Sequence, residues 1–390
     1  MMKKLTALLM AVLLMVLPMM ATAEAAGMDE QVDGVFRAMK AVGGAFVVAQ
    51  HGKIVYERYY GVQHKKTNEP VTEKSYFRCA SVTKLVTGIG IMKMIDAGLL
   101  DPDEDISTYL GYKVRNTRFM KTPITLRHLM SHTAGMVENS SFSKKSSILS
   151  DMINVEKKAS SNFKREVKPG SEYTYSNFGA GITGAIVEAV TGQDVSSYMR
   201  EFLFAPLNID AAYFVGQLQE PEYICATYKK DGSLYAAPSY MLRQEYLQEA
   251  NPDIHYRTTI GSLQIRPRDL AKLGIVICGD GTIDGQRVLS EESIALMRAE
   301  HSEATDGITS DSPYSFFTIR QDTLFEGRRV YGHQGTDEGV VCNLYVEPES
   351  ELVMVVMTNG CRSGRDDGIM RITRRLAEIA EREYILPEAE

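Results

Sequence analysis

Two pairs of short apolar segments, one near each end of the chain, constrain the fold most strongly. Near the start, Ala45–Ala49 and Ile54–Tyr60 flank a glycine-containing turn, and near the other end Val340–Val346 and Leu352–Thr358 flank a proline-containing turn. Segments rich in valine and tyrosine around such turns are typical of β-hairpins. We therefore predict one sheet that is built from both ends of the chain.

The middle of the chain has a helical pattern instead. Helices are predicted over Leu85–Leu100, Leu126–Ser131, Gly179–Val190, Val195–Phe204 and Leu270–Cys278. Near the C-terminus, apolar residues at steps of three and four (Ile369, Ile372, Leu376 and Ile379) indicate an amphipathic helix. The pattern predicts an α/β fold whose sheet layer is interrupted by an inserted all-helical domain.

This pattern divides the chain into a leader and two domains. Residues 1–26 form a predicted signal peptide, residues 27–100 together with 290–390 form the α/β domain, and residues 101–289 form a mainly helical domain. Within the helical domain, the region near residues 216–257 has few periodic apolar positions and is predicted to be a long irregular excursion. Long loops in compact domains often serve function, so we expect this region to determine substrate specificity.

The leader has the features of a Sec-type signal peptide. Lys3 and Lys4 precede the uncharged apolar run Leu8–Leu17, and small residues follow, with cleavage expected after Ala23 or Ala25. An uncleaved membrane anchor is the alternative, but the apolar run is short for a membrane span. We therefore predict export to the periplasm, the cell-wall space or the medium, with no stable membrane span after cleavage.

Charge and cysteine usage exclude several classes of protein. The formal net charge is −7, and removal of the leader, which carries two lysines and one glutamate, changes it to −8. A mildly acidic chain without runs of Lys or Arg is not expected to bind nucleic acid. The five cysteines, Cys79, Cys225, Cys278, Cys342 and Cys361, form no C-x-x-C pair. Buried free thiols are expected, although one disulfide remains open.

The first candidate catalytic element is Ser81-Val82-Thr83-Lys84, which opens the most apolar predicted helix. A spacing of three residues places Lys84 beside Ser81 on one helix face. Lys93 lies on the opposite side of the helical wheel, so Lys84 is not on the solvent face. Backbone N–H groups at the helix start favour a developing oxyanion. A serine cap with a solvated lysine is the alternative interpretation of the motif by itself.

Two further elements contain polar side chains next to turns. Tyr173–Asn177 lies between a Pro-Gly bend and a predicted helix start, where side chains can face a cleft. In Tyr331–Thr336, an extended backbone would direct His333 and Gly335 to one side and Gln334 to the other. A glycine at this point would allow a substrate backbone to approach closely.

The three elements, in this order, resemble the signature of the serine β-lactamase and penicillin-binding superfamily. Its class A branch carries S-x-x-K, S-D-N and K-T-G, whereas Y-x-N and H-x-G here are similar to class C β-lactamases and the related D,D-peptidases, D-aminopeptidases and esterases. Matching stretches at Pro123–Gly135, Pro169–Asn177 and Met357–Gly360 extend the resemblance over residues 32–385. It implies the β-lactamase/transpeptidase-like fold, in which helices flank an antiparallel sheet.

The resemblance also implies a role for each motif residue. Ser81 would form the acyl-enzyme, and Lys84 and Tyr175 would share the proton transfers, with the general base left open between them. The backbone N–H groups of Ser81 and Thr336 would form the oxyanion hole.

Substrate contacts are implied for the remaining motif residues, Asn177, His333 and Gly335. Asn177 would orient the acyl group and Lys84, and His333 would position Tyr175 or bind the polar end of the substrate. His333 stands where a substrate carboxylate would otherwise meet a lysine, which puts efficient β-lactamase action in doubt.

Two competing chemistries have weaker support. His128 and His132 have the i, i+4 spacing of a metal-binding helix, but the glutamate of H-E-x-x-H is missing. Cys79 could act as a nucleophile, yet no base is paired with it. We therefore expect neither a metal nor another cofactor.

The predicted function is hydrolysis of an amide or ester through an acyl-enzyme, on a small-molecule or peptide substrate that could derive from peptidoglycan. Three alternatives remain open: a class C-like β-lactamase, a cell-wall D,D-carboxypeptidase or endopeptidase, and a penicillin-binding sensor with little turnover.

Overall fold

The structure is a computed structural model that describes residues 27–139, 141–142, 144, 146–157, 162–242, 249–304 and 312–386. Its α-helices are α1 (residues 27–38), α2 (Val82–Asp96), α3 (Ile106–Leu110), α4 (Leu126–Met130), α5 (Leu149–Ile153), α6 (Asn177–Thr191), α7 (Val195–Met199), α8 (Pro238–Leu242), α9 (Pro252–His255), α10 (Thr258–Gly261), α11 (Pro267–Cys278), α12 (Glu291–Arg298) and α13 (Arg371–Ala380). Its strands are β1 (Gly43–Gln50), β2 (Lys53–His64), β3 (Glu69–Pro70), β4 (Phe77–Arg78), β5 (Ala211–Ala212), β6 (Thr227–Tyr228), β7 (Leu234–Ala236), β8 (Gln264–Ile265), β9 (Thr282–Ile283), β10 (Gln286–Arg287), β11 (Ser302–Ala304), β12 (Ser312–Tyr314), β13 (Ile319–Gln321), β14 (Val330–Asp337), β15 (Val340–Glu347), β16 (Leu352–Thr358), β17 (Arg365–Asp366) and β18 (Ile369–Met370).

A nine-stranded antiparallel sheet with the order β11-β12-β13-β14-β15-β16-β1-β2-β3 forms the centre of the molecule. Strand β1 pairs with β2 on one side and with β16 on the other, so that Phe46 lies opposite Val356. The two predicted hairpins therefore join in one sheet, and the predicted fold class is confirmed.

The two faces of the sheet bury different sets of helices because side chains alternate along a strand. Ala45 and Val47 of β1 pack in one apolar cluster with α2 and α11. Phe46 and Val48 pack in a second cluster with α1 and α13. Helix α2, which follows Ser81, is therefore held directly against the sheet.

Helix α11 lies within residues 101–289, which the sequence assigns to the mainly helical domain. In the structure it packs against β1, β15 and β16 of the central sheet. The same part of the chain also contains short strands, including β5 and β8, which form a three-stranded sheet with β4. The sequence predicts a helix over Leu270–Cys278, but not the surface that covers it. The domain boundaries stay a prediction.

The C-terminal helix begins two residues later than the apolar stripe suggested. Ile369 belongs to strand β18, and α13 starts at Arg371. Asp367 and Gly368 have positive φ angles of 48° and 77°, which turn the chain between β17 and β18. Ile369 is still buried in the same cluster as α13, because a strand end can serve the same core as the helix that follows it.

The region near residues 216–257 is irregular as predicted: its described part contains two short 3-10 helices, Val215–Gln217 and Pro221–Tyr223, the β6–β7 hairpin, α8 and α9. The predicted signal peptide, residues 1–26, lies outside the described residues. Within the described ranges, no helix combines the length and apolar character that a membrane span needs.

Helix α13 covers one face of the sheet, and Leu376 is fully buried in that contact. We expect Leu376→Ala to lower the free energy of unfolding by about 2–5 kcal/mol, because it removes buried methyl groups and leaves a cavity. Glu378→Ala on the exposed side of α13 should change it by about 0.5 kcal/mol or less. Denaturant unfolding measures both, and equal effects would contradict this packing.

Candidate active site

Ser81 lies at the start of α2, where a strained turn presents it. Ala80 has a φ of 45°, in the left-handed region that costs a non-glycine residue free energy. Cys79 fixes the chain before this turn by donating its N–H to the Leu263 carbonyl at 2.9 Å. The turn leaves Ser81 half-buried, next to the first N–H groups of a helix, which have no partner within it.

Lys84 lies one helical turn after Ser81 and is fully buried, so the prediction that it avoids the solvent face is confirmed. Its Nζ donates to Ser81 Oγ at 3.2 Å and to the Ile260 carbonyl at 2.9 Å. A buried cation needs such partners, because leaving its charge unsolvated is costly. The second contact holds the amine beside the serine hydroxyl.

The Ile260 carbonyl reaches Lys84 because the segment just before Ile260 packs closely against α6. A Cβ atom on Gly181 of α6 would lie only 2.0 Å from the Tyr256 carbonyl oxygen. Only a residue without a side chain fits this backbone contact. Gly181 thereby positions α10, and with it the carbonyl group that holds Lys84.

Tyr175 approaches Ser81 from the loop before α6. Its hydroxyl donates to Ser81 Oγ at 3.2 Å, and Lys84 Nζ lies 5.3 Å from the centre of its ring. Ser176 caps α6 by accepting the Gly179 N–H at 2.9 Å, which fixes the loop. Tyr173 is instead buried in the apolar cluster of α1 and α13. The structure therefore brings Ser81, Lys84 and Tyr175 together.

Strand β14 touches the Ser81 turn at Gly335. A Cβ atom there would lie 2.4 Å from the Cys79 carbonyl oxygen and 2.8 Å from the Ser81 nitrogen. The sequence predicts that this glycine admits a substrate backbone, whereas in the structure it lies against the protein's own chain. Thr336 is the next residue of β14 after this contact, and its part in an oxyanion hole stays a prediction.

Arg78 is a site residue that the sequence analysis missed. Its guanidinium lies 2.5 Å from a carboxylate oxygen of Asp337, and its Nε donates to the Gly261 carbonyl at 3.1 Å. Arg78 thus connects the segment before Ser81 with the end of β14, through Asp337, and with the end of α10, through Gly261. No motif singles Arg78 out, because its partners are far away in sequence.

His333 points into the protein. Its Nε2 lies 3.0 Å from the Tyr314 hydroxyl, its Nδ1 lies 2.7 Å from the Gln334 carbonyl, and only 4% of the residue is exposed. Burial and the charge of Lys84 lower the pKa of His333 to about 3. The side chain is therefore neutral and is engaged with Tyr314 and Gln334 rather than with Tyr175.

Asn177 is the first residue of α6 and is half-buried. Within the described part of the chain its side chain makes no hydrogen bond to Lys84, whose Nζ has the Ile260 carbonyl as its second partner. The predicted role of Asn177 toward the substrate stays a prediction.

The two histidines of the competing zinc motif have separate roles. His128 caps α4 by accepting the Thr125 N–H at 3.3 Å. His132 lies against Tyr175, with 4.4 Å between the ring centres. Across the described ranges, no group of three or more His, Cys, Asp or Glu side chains is arranged to hold a metal ion.

All five cysteines are buried and free, as the sequence analysis expected. Burial raises the pKa values of the Cys225 and Cys278 thiols. It also raises that of Cys342, with the Cys79 side chain as a further cause. Such thiols are poor nucleophiles, because the thiolate is the reactive form.

A family model described as Beta-lactamase matches residues 32–379. Penicillin-binding protein 4 of Amycolatopsis lactamdurans is 28% identical over 358 residues, covering 89% of this chain and 89% of that protein. Esterase EstB of Burkholderia gladioli is 28% identical over 216 residues, covering 52% of this chain and 54% of the esterase.

Solved structures with the same fold include the octameric penicillin-binding protein homologue from Pyrococcus abyssi, with a TM-score of 0.70 and 20% identity over 91% of this chain and 76% of that one. D-amino acid amidase from Ochrobactrum anthropi SV3 superimposes with a TM-score of 0.67 and 19% identity over 91% of this chain and 98% of that one. These likenesses concern the fold.

The hydroxyl of Tyr175, but not that of Tyr173, contacts Ser81. Tyr175→Phe should therefore lower the steady-state rate roughly 10²- to 10⁴-fold, since it removes a proton-transfer group but keeps the ring. Tyr173→Phe serves as the matched control and should have a much smaller effect. Near-wild-type rates for Tyr175→Phe would leave Lys84 as the base by itself.

Proposed function

Because this chain belongs to the Beta-lactamase family and is a serine hydrolase, we propose that it hydrolyses esters or amides that carry an apolar or aromatic group and no carboxylate near the scissile bond. The observation that carries this proposal is the position of Ser81 Oγ, which lies 3.2 Å from both Lys84 Nζ and the Tyr175 hydroxyl. This is the geometry of an activated nucleophile.

The reaction proceeds in two steps. Ser81 Oγ attacks the substrate carbonyl and passes its proton to the Tyr175–Lys84 pair, which reacts in the form that has one of its two groups deprotonated. The pair returns that proton to the leaving group as the ester or amide bond breaks. The backbone N–H groups of Ser81 and Thr336 stabilise the oxyanion. Water then attacks the acyl-enzyme, the same pair takes its proton, and Ser81 is regenerated with release of the acid.

His333 of the H-x-G motif supports the proposal that the substrate carries no carboxylate near the scissile bond. His333 is buried and neutral, with Tyr314 and Gln334 as partners of its ring nitrogens. It therefore provides no cation for the carboxylate that β-lactams and D-Ala-D-Ala peptides carry. Arg78, which lies just before the Ser81 turn, is already paired with Asp337.

A cleft with aromatic residues in its wall supports an apolar or aromatic group on the substrate. A cleft of about 410 Å³ has Arg78 and polar residues such as Gln264 in one part of its lining, and aromatic and apolar residues that include Tyr213, Tyr240 and Met241 in another. Two of these residues come from the region near 216–257, where the sequence analysis expected the specificity-determining residues. Aromatic walls around a cleft of this size suit a phenyl-sized group.

A peptidase acting on peptidoglycan-derived peptides is the second candidate. Thr336 lines a second cleft, of about 800 Å³. Its lining includes the cationic side chains Lys229, Lys230 and Arg365 and anionic side chains such as Asp231 and Glu338. Side chains of both signs suit a peptide that carries both charges.

Four substrates separate these candidates when burst and steady-state phases are both recorded: p-nitrophenyl phenylacetate, p-nitrophenyl acetate, a chromogenic cephalosporin and a D-Ala-D-Ala peptide. We expect the highest kcat/KM for the phenylacetyl ester. Ser81→Ala should abolish turnover and labelling by a fluorophosphonate without changing the unfolding transition.

A higher kcat/KM for the cephalosporin would identify a β-lactamase, and one for the peptide a D,D-peptidase. A burst of acylation without turnover would identify a penicillin-binding sensor. Labelling at an unchanged rate in the Ser81→Ala variant would remove Ser81 as the nucleophile.

We also propose that the protein acts outside the cytoplasm, on the basis of the leader sequence in residues 1–26. Intact-mass measurement of the exported fraction should give a mature N-terminus at about residue 24 to 26, as expected for cleavage after an A-x-A site. A cell-associated protein that keeps Met1 would favour a membrane anchor instead.

A further inference from the structure

His132 makes three separate contacts with the segment that carries Tyr175. Its carbonyl accepts the Thr174 N–H at 2.7 Å, and its Nδ1 accepts the Ser176 N–H at 3.3 Å. Its ring is tilted by 43° against the Tyr175 ring, with 4.4 Å between centres. One residue therefore holds the backbone on both sides of Tyr175 and one face of its phenol.

We propose that His132 is a positioning residue that orients the Tyr175 hydroxyl toward Ser81. This inference rests on the proposed function, in which Tyr175 transfers protons. Without these contacts the loop before α6 would retain the Ser176 cap, but the tyrosine ring would lose the surface that fixes its orientation. Displacement of a reacting group by about 1 Å can cost about 10²-fold in rate.

The backbone conformation of His132 suits this role. It lies two residues after α4 with a φ of 56°, in the left-handed region where histidine and asparagine are more frequent than most other residues. This conformation directs both the carbonyl group and the ring toward the Tyr175 segment. A flat ring with an acceptor at the δ position is needed to make all the contacts at once.

The protonation state of His132 is set by its surroundings. Nδ1 accepts a hydrogen bond from Ser176, so the proton of the neutral ring is on Nε2. Burial, Lys84 and His333 hold the pKa of His132 well below its ordinary value. A second proton would remove the acceptor and place another cation near Lys84, so the neutral ring is the form that holds the tyrosine.

Aromatic rings enclose the other side of His132. Tyr314 and Phe317 lie with ring centres 5.0 and 5.6 Å from the imidazole centre, and the residue is 1% exposed. Tyr314 is also the hydroxyl partner of His333. The imidazole therefore packs between these buried rings and Tyr175, so that it restricts the movement of the Tyr175 ring.

Two substitutions separate the contacts in the full-length enzyme. His132→Asn tolerates the left-handed backbone and keeps an acceptor near the position of Nδ1, but it removes the ring. His132→Phe keeps a ring and removes the acceptor. His128→Asn is the matched control, because His128 caps α4 and has no contact with Tyr175 among the described residues.

The decisive measurement is a double-mutant cycle with Tyr175→Phe, read by the rate of fluorophosphonate labelling of Ser81 and by kcat and KM for p-nitrophenyl phenylacetate. We expect His132→Asn to lower kcat and the labelling rate by roughly 10- to 100-fold with little change in KM. In the Tyr175→Phe background the same substitution should cost almost nothing further, because residues that act as a unit are not additive.

Equal losses in both backgrounds, or no loss in either, would overturn the inference. If His132→Asn does not fold, His132→Phe is measured in the same two backgrounds and tests the Nδ1 acceptor instead of the ring; equal losses in both backgrounds would again overturn the inference. Denaturant unfolding checks that each variant is folded. Failure of the proposed function would look different, because the unsubstituted enzyme would then not prefer p-nitrophenyl phenylacetate among the four substrates, whereas the cycle read by the labelling of Ser81 would still report on His132.

Discussion

The site depends on the close approach of strand β14 to the turn before α2. Gly335 makes this approach possible, because any side chain there would collide with the Cys79 carbonyl and the Ser81 nitrogen. The same core cluster that packs α2 also contains Cys342 and Leu344 of the neighbouring strand β15. Ser81 and strand β14, which carries the proposed second oxyanion donor, are therefore held by one core.

The second physical constraint is the buried charge of Lys84. Its two partners are neutral oxygens, Ser81 Oγ and the Ile260 carbonyl, so its positive charge is solvated but not neutralised by them. That charge lowers the pKa values of His132 and His333 in addition to the effect of burial. Both histidines stay neutral, and Lys84 Nζ lies 3.2 Å from Ser81 Oγ, close to where negative charge would develop on the substrate in the proposed reaction.

The proposed catalytic groups come from three parts of the chain, and each part contributes something different. Ser81 and Lys84 lie at the start of α2, the helical part contributes Tyr175 and the Ile260 carbonyl, and the sheet contributes Thr336. Because the groups meet where these parts join, their relative positions depend on small residues and on ion pairs at the junction. The ion pair of Arg78 and Asp337 is one such contact.

Sequence by itself determined the features that depend on local periodicity and short spacings. The two terminal hairpins, the amphipathic stripe around Leu376 and the shared helix face of Ser81 and Lys84 follow from the repeat of a strand or a helix. Resemblance to the superfamily then selected Tyr175 rather than Tyr173, and the contact of the Tyr175 hydroxyl with Ser81 agrees with that choice.

Only the tertiary structure decided which distant segments touch these residues. It turned His333 inward, placed His132 against Tyr175 and paired Arg78 with Asp337. In each case the role depends on burial and on a partner far away in the chain, whereas periodicity describes only which face of its own element a residue occupies. A side chain's chemistry is local, but its pKa, orientation and partner are set by the surfaces that fold around it.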